Sequence, residues 1–246
     1  MKEITSKSNP VIKETKKLLQ KKYRKSSYLI EGWHLFDEAV AYGVEILKIF
    51  IVDGYQDKVS SYQNTYLVTS EILKELSDSK TPQGIVVEVA YQTVTISELT
   101  SGKFLVLEDV QDPGNVGTMI RTADAAGYSA VFITDHSADI YNQKTLRSMQ
   151  GSHFHLPIIR KDIVSILDIL KQYKTFIMAT TLSKESKDYQ SISPQKNFAL
   201  IMGNEGKGIS ELVENKADVL VHITMPGHSE SLNVAVAAGI LMFRFI

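Results

Sequence analysis

The sequence has no cysteine. A disulfide scaffold, a thiolate nucleophile and every Cys-containing zinc or iron–sulfur site are therefore excluded. Long apolar runs are also missing. The longest, Val234 to Phe243, is interrupted by Gly239 and ended by Arg244, which is too short to span a bilayer. The opening Met1-Lys2-Glu3-Ile4-Thr5-Ser6-Lys7 lacks an apolar signal core, so a cytoplasmic protein without membrane partners is expected. Neither the G-x-x-x-x-G-K-[ST] loop nor the G-x-G-x-x-G fingerprint occurs, which leaves a P-loop NTPase or a dinucleotide-binding fold unsupported. There is no G-x-S-x-G elbow, and scattered Ser, His and Asp do not define a triad. Internal repeats and low-complexity segments are likewise lacking.

What remains is an ordinary globular composition. The 246 residues are 43% hydrophobic and 22% charged, enough for one large domain or two moderate ones with a real core. The net charge is −1, yet Met1 to Ile30 holds nine basic residues against two acidic ones. A basic block on a mildly acidic chain fits a polyanion footprint and equally a solvated Lys-rich helix face. Tyr23, Tyr28 and Trp33 interleave with it and are candidates for base stacking or for core.

The pattern along the chain reads as two α/β segments. Ser8-Asn9-Pro10 signals a helix start, followed by Val11, Ile12, Thr15, Leu18 and Leu19 on one face. Strands are expected at Ser27–Glu31, Ile46–Val52, Thr65–Val68 and Gly84–Ala90, and helices at 35–42, 56–62 and 72–77. A polar Thr/Ser-rich stretch separates this segment from the next, giving a small domain over 1–92, a linker over 93–103 and a second domain over 104–246. In the latter, continuous apolar strands at Phe104–Glu108, Ala130–Thr134, Phe176–Thr180, Phe198–Met202 and Val219–Ile223 point to a parallel sheet covered on both faces. Helices are expected up to about Ala126 and over 143–149, 163–173, 210–215 and 232–245.

Three glycine-containing loops fall at carboxyl ends of these strands, where open parallel sheets bind ligands. The first leads into Asn115-Val116-Gly117-Thr118-Met119-Ile120-Arg121-Thr122-Ala123. Arg121 needs partners if buried, and an ion pair with Asp124 or Glu108 is the plain structural alternative. The second, Met202-Gly203-Asn204-Glu205-Gly206-Lys207-Gly208, implies tight backbone with exposed amides. In the third, Ile223-Thr224-Met225 through Ser231-Leu232-Asn233-Val234-Ala235, Ser231 or Asn233 is placed to cap the last helix. His153 and His155 alternate as on a strand and share a face, but no third ligand lies nearby, so no metal is expected.

In order and spacing, the three clusters resemble the SpoU (TrmH) family of SPOUT RNA methyltransferases. Thr224, where that family usually has proline, and Ala235, where serine is frequent, depart from its motif. Lys21-Lys22-Tyr23-Arg24, Ile30-Glu31-Gly32 and Glu38-Ala39 are similar to the L30e-like substrate-binding domain of such enzymes. The resemblance implies a small L30e-like α/β domain before an α/β-knot domain with a trefoil-knotted, mostly parallel sheet. It further implies S-adenosylmethionine as cofactor, a homodimer, and methyl transfer to a ribose 2′-hydroxyl in RNA. Ribosomal RNA, 23S in particular, is favoured over tRNA; a non-catalytic RNA-binding or assembly protein is the rival from another class. By the same resemblance Arg121, Asn115, Glu205, Ser231 and Asn233 carry the chemistry. Thr181, Leu182, Gly203, Asn204, Gly206, Ile223, Met225, Ser231 and Leu232 hold the cofactor. Lys13, Lys17, Lys21, Lys22, Tyr23 and Arg24 meet the RNA.

Overall fold

The computed structural model describes residues 1–93 and 100–246, so most of the expected linker lies outside the described residues. In chain order the first elements are β1 (Lys2–Ile4), α1 (Pro10–Lys17), β2 (Ser27–Glu31), α2 (Trp33–Ala41), β3 (Ile46–Ile51), β4 (Thr65–Val68), α3 (Ser70–Glu75) and β5 (Ile85–Ala90). Then come β6 (Lys103–Leu107), α4 (Pro113–Ala125), β7 (Ala130–Ile133), α5 (Gln143–Met149), β8 (Ile158–Arg160) and α6 (Ile163–Gln172). The last are β9 (Phe176–Thr180), β10 (Lys187–Asp188), β11 (Phe198–Met202), α7 (Glu211–Lys216), β12 (Val219–His222) and α8 (Val234–Arg244). The described residues form two compact units: residues 1–93 with 139–154, and 100–138 with 155–246.

The first unit is built on a mixed five-stranded sheet in the order β1-β4-β3-β5-β2. Asn9 caps α1 by accepting from the Val11 amide at 2.9 Å, and Pro10, which has no amide to satisfy, starts the helix. Ile12 is buried with Leu29, Phe50, Ile72 and Val86, while the lysines of α1 face outward. Residues 139–154 lie in sequence within the second expected domain, yet pack into this unit. Tyr141 packs tilted against Tyr28 and edge-on against Tyr91, His153 meets the Tyr28 hydroxyl at 3.1 Å, and the Gln143 side-chain oxygen accepts from the Asp78 amide at 2.8 Å. The expectation that His153 and His155 share a strand face is wrong. His153 sits in the 3-10 turn Ser152–Phe154 of this unit, whereas His155 belongs to the other unit and pairs with Asp124 at 2.7 Å.

The second unit is a seven-stranded parallel sheet, β10-β12-β9-β11-β6-β7-β8. Its core joins Phe104, Val106, Phe132, Ala179 and Ile201 to Ile166 and Leu170 of α6. Asp112 caps α4 by accepting from the Asn115 amide at 2.9 Å, with Pro113 as first residue. Strand order reverses around β6 and β11: β7 and β8 extend the sheet on one side, β9, β12 and β10 on the other. Ligand crevices of open parallel sheets form at such a point. Among the described residues, no helix is long and apolar enough to cross a membrane.

Candidate active site

A cavity of about 680 Å³ opens at the carboxyl ends of β9, β11 and β12. Its walls are Thr180 to Ser183, Met202 to Gly208, Val221 to Ile223, Met225 and the segment Ser231 to Val234 with Ala237 and Leu241 of α8. Every residue expected to hold the cofactor lines it: Thr181, Leu182, Gly203, Asn204, Gly206, Ile223, Met225, Ser231 and Leu232.

The second loop is tied tightly. Asn204 and Gly208 exchange backbone hydrogen bonds, both 2.9 Å. The Asn204 side-chain oxygen accepts from the Gly206 and Lys207 amides at 2.9 and 3.0 Å, and its nitrogen donates to the Asp109 carbonyl at 2.8 Å. A Cβ on Gly203 would lie 2.3 Å from the Gly208 carbonyl carbon, so only glycine fits there.

This turn carries Glu205 to the start of α4. Its carboxylate accepts from the amides of Gln111 (3.1 Å) and Asp112 (3.0 Å) and from the side-chain nitrogen of Asn115 (3.1 Å). Partial burial by itself would raise the Glu205 carboxyl. Donation from the Asn115 side chain and from the two backbone amides outweighs it and holds the group below its ordinary value. Asn115 in turn accepts from the Asn233 side-chain nitrogen at 3.1 Å. Asn233, and not Ser231, caps α8, accepting from the amides of Ala235 and Val236. Ser231 contributes its carbonyl to the Ser229 hydroxyl at 2.8 Å.

The structure does not bring Arg121 into the cavity. It stands on α4 about 9 Å along the axis from Asn115, at a rise of about 1.5 Å per residue. It is exposed, and among the described residues it makes no ion pair or side-chain hydrogen bond. The structural ion pair weighed from sequence is absent because both partners are engaged. Asp124 holds His155, and Glu108 accepts from the Ser210 amide and hydroxyl at 2.9 and 2.6 Å.

In the first unit, Lys13, Lys17, Lys21, Lys22 and Tyr23 are exposed. Arg24 is a correction. Its side chain is only 4% exposed and its guanidinium is ion-paired with Asp139 at 2.5 Å, so it anchors residues 139–154 and is not a surface contact for RNA. Sequence reasoning missed two groups around the cavity. Val234, Ala237 and Leu241 follow helical spacing on α8 and were readable as one face. His222 sits between Ser186 (2.9 Å) and the Thr224 hydroxyl (3.4 Å) and carried no sequence signal.

A switch-point cavity walled by glycine turns defines a class of α/β protein that grips a small ligand beside the sheet, and comparison with known proteins says which. The SpoU rRNA Methylase family matches residues 102–243, and an MRM3-like substrate binding domain matches residues 9–87. The chain is 40% identical to the 23S rRNA (guanosine(2553)-2'-O)-methyltransferase RlmP of Bacillus subtilis (strain 168), over 99% of each chain. It resembles the AdoMet-bound rRNA methyltransferase of Sinorhizobium meliloti with a TM-score of 0.91 at 30% identity, covering 99% of this chain and 96% of that one. An RNA 2'-O ribose methyltransferase structure matches with a TM-score of 0.85 at 30% identity, over 98% and 97%. The protein is thus a methyltransferase of the two-domain kind. It belongs to the SpoU rRNA Methylase family.

Proposed function

We propose that the protein transfers a methyl group from S-adenosylmethionine to a ribose 2′-hydroxyl of 23S ribosomal RNA in the cytoplasm. One observation carries the reading: the residues expected to hold the cofactor line a single cavity whose edge is closed by the Glu205–Asn115–Asn233 chain. The cavity volume lies within the ~300–1,000 Å³ usual for small-ligand sites. The absent Cβ of Gly203 and the exposed amides of its turn suit close backbone approach to such a ligand. S-adenosylmethionine, when bound, supplies a methyl group already activated on a sulfonium.

The chain's own residues then position the acceptor. Asn115, fixed between Glu205 and Asn233, orients the ribose. Arg121 is a poor base because a guanidinium keeps its proton below pH ~12. Its free, exposed fork instead pairs with an RNA phosphate, which accepts the 2′-hydroxyl proton, and stabilises the charge that develops on the 2′ oxygen. Lys13, Lys17, Lys21, Lys22 and Tyr23 bind the RNA backbone and give salt-sensitive affinity. Ribosomal RNA over tRNA is supported by the full-length likeness to an enzyme named for 23S rRNA.

A homodimer and a trefoil knot belong to the same proposal. Val236, Ile240, Phe243 and Ile246 form an exposed apolar row on and after α8, with Val236 and Phe243 more than half exposed. A second copy of this chain would cover it. For the knot, the chain passes from β9 to β11 and back to β12, and α8 returns to pack on α4.

The test pairs calorimetry with S-adenosylmethionine and methylation of ribosomal RNA. Wild-type protein is expected to do both, and Arg121→Lys to keep cofactor affinity while losing turnover. Normal turnover by Arg121→Ala refutes the assignment. Cofactor binding absent from the wild type would favour the non-catalytic RNA-binding role. Charge-removing substitutions at Lys13 and Lys17 suit the RNA test better than truncation, because residues 139–154 pack against the part a truncation would remove.

A further inference from the structure

Asp109 has a left-handed backbone that the reading above does not use. Among the described residues, four that are not glycine have positive φ. Gln150 and Lys174 stand at the ends of α5 and α6, where that conformation commonly closes a helix. Asn64 is of a type that tolerates it. Asp109, at φ 55°, instead follows the strand β6 and borders the cavity turn. Such a conformation costs free energy in a residue with a Cβ and persists only where its surroundings impose it.

In a strand the N–H and C=O of one residue point to the same side, and successive residues alternate. β6 and the residue after it obey this. The Leu107 carbonyl accepts from the Thr134 amide at 3.0 Å, towards β7, and the Glu108 amide donates to the Met202 carbonyl at 2.9 Å, towards β11. Asp109 breaks the rule. Its amide turns to β7 and donates to the Thr134 hydroxyl oxygen at 2.8 Å. Its carbonyl turns the other way and accepts from the Asn204 side-chain nitrogen at 2.8 Å. Positive φ is what splits the two directions; an extended Asp109 would aim its carbonyl at β7 and leave Asn204 without it. Thr134, which is buried, holds the kink by donating its own hydroxyl to the Asp109 carboxylate at 2.6 Å. With its nitrogen committed to Asp109, Asn204 must present its oxygen to the Gly206 and Lys207 amides. Just past the kink, the Gln111 and Asp112 amides both reach Glu205.

We infer, on the proposed methyltransferase reading, that Asp109 is a positioning residue for the cofactor. Its backbone, and not its charge, shapes the turn from Gly203 to Gly208 before S-adenosylmethionine arrives. Asp109 does not line the cavity and acts through Asn204. Its carboxylate serves to hold the kink against Thr134.

Substitutions ranked by their tolerance of positive φ test this in the full-length protein. Glycine adopts it freely, asparagine tolerates it and keeps an acceptor for Thr134, and β-branched valine resists it. By calorimetry, Asp109→Val should raise the Kd for S-adenosylmethionine about tenfold or more. Asp109→Asn and Asp109→Gly should recover it to within about threefold of wild type. The glycine variant lacks the Thr134 clasp and should still melt below wild type. A role through general stability alone would instead weaken cofactor binding in the glycine variant as it lowers melting. NMR on the cofactor-free protein adds a second readout. The Asn204 side-chain amide and Gly206 backbone amide signals should move in Asp109→Val and stay near their wild-type positions in Asp109→Asn. Should the valine variant fail to fold, Asp109→Ala replaces it and must bind about threefold or more weaker than Asp109→Gly. Wild-type affinity in Asp109→Val, or a glycine variant as weak as the valine one, overturns the role of Asp109 and leaves the proposed function standing. A wild-type protein that binds no S-adenosylmethionine removes that function, and the role of Asp109 with it.

Discussion

The side-chain nitrogen of Asn233 donates to the side-chain oxygen of Asn115 across 3.1 Å, joining residues 118 apart in sequence. The direction of this bond is fixed from the α8 end. The Asn233 oxygen is engaged by the Ala235 and Val236 amides, so only its nitrogen can face Asn115. Asn115 must then turn its own nitrogen to Glu205. A helix cap thereby sets the polarity of the cavity edge.

Asn233→Asp separates the two duties of that residue. Aspartate caps a helix as well as asparagine does and suits the positive end of the helix dipole, so stability should stay within ~0.5 kcal/mol of wild type. It has no donor for Asn115, so methyl transfer should fall about tenfold or more. Asn233→Ala should lose turnover and also ~1 kcal/mol of stability. Thermal melts and initial rates on the two variants check this. Unchanged rates in Asn233→Asp would show that the bond to Asn115 does not matter for turnover.

Glu205 predicts an acid dependence. Its native carboxyl titrates below the ordinary value, since the Asn115 and backbone donors outweigh partial burial. A lowered native value means that the unfolded chain binds the proton more readily. The stabilisation is therefore present above the ordinary carboxyl range and is lost as pH falls through the native value. Glu205→Gln should be less stable than wild type near neutral pH, and the gap should narrow on acidification through the carboxyl range. Melting curves from pH 7 downward measure it, and a gap that stays constant with pH contradicts the linkage.

Gly203 makes a steric prediction. Its missing Cβ would strike the backbone of Gly208 and Ile209, at 2.3 and 2.4 Å, and backbone has little room to yield. Gly203→Ala should cost ~1–3 kcal/mol, a loss of roughly 2–4 °C in Tm for each kcal/mol in a chain of this size. Cofactor affinity should fall further than stability, because the displaced turn is a cavity wall. Calorimetry beside a thermal melt gives both values; equal affinity in the alanine variant would refute the link.

Much of this was legible in the sequence, for identifiable reasons. Strands with continuous apolar runs, such as Phe104-Leu105-Val106-Leu107, announce a covered parallel sheet, and Asn9-Pro10 and Asp112-Pro113 announce helix starts. The strands that escaped notice, Lys2–Ile4, Ile158–Arg160 and Lys187–Asp188, are two or three residues long and lie at sheet edges, where little periodicity can build up. The helix expected over 56–62 is a 3-10 turn at Gln56–Val59. Arg24 misled because a basic run has the same composition whether one member is buried or not. Its pairing with Asp139, 115 residues away, leaves no local trace.

Thr224, the departure from the family's usual proline, is held in another way. Its hydroxyl and amide both reach the Asp188 carboxylate, the amide at 3.3 Å, and its hydroxyl also lies 3.4 Å from His222 on the cavity wall. Donation from the Thr224 hydroxyl, then from the Gln190 amide, holds the Asp188 carboxyl below its ordinary value. The clasp is therefore intact above the carboxyl range and weakens as pH falls through the native value. Proline would restrain the same loop by fixing φ near −65°, without any titrating group. Thr224→Val should thus raise the Kd for S-adenosylmethionine about threefold to tenfold with little change in kcat, since Ile223 and Met225 flank it in the cavity wall. Thr224→Pro should keep the wild-type Kd near neutral pH and, unlike wild type, hold it as the pH is lowered. Calorimetric titrations at two pH values distinguish the three proteins. If the valine variant binds as tightly as wild type, the loop is held by its other contacts and the clasp is incidental.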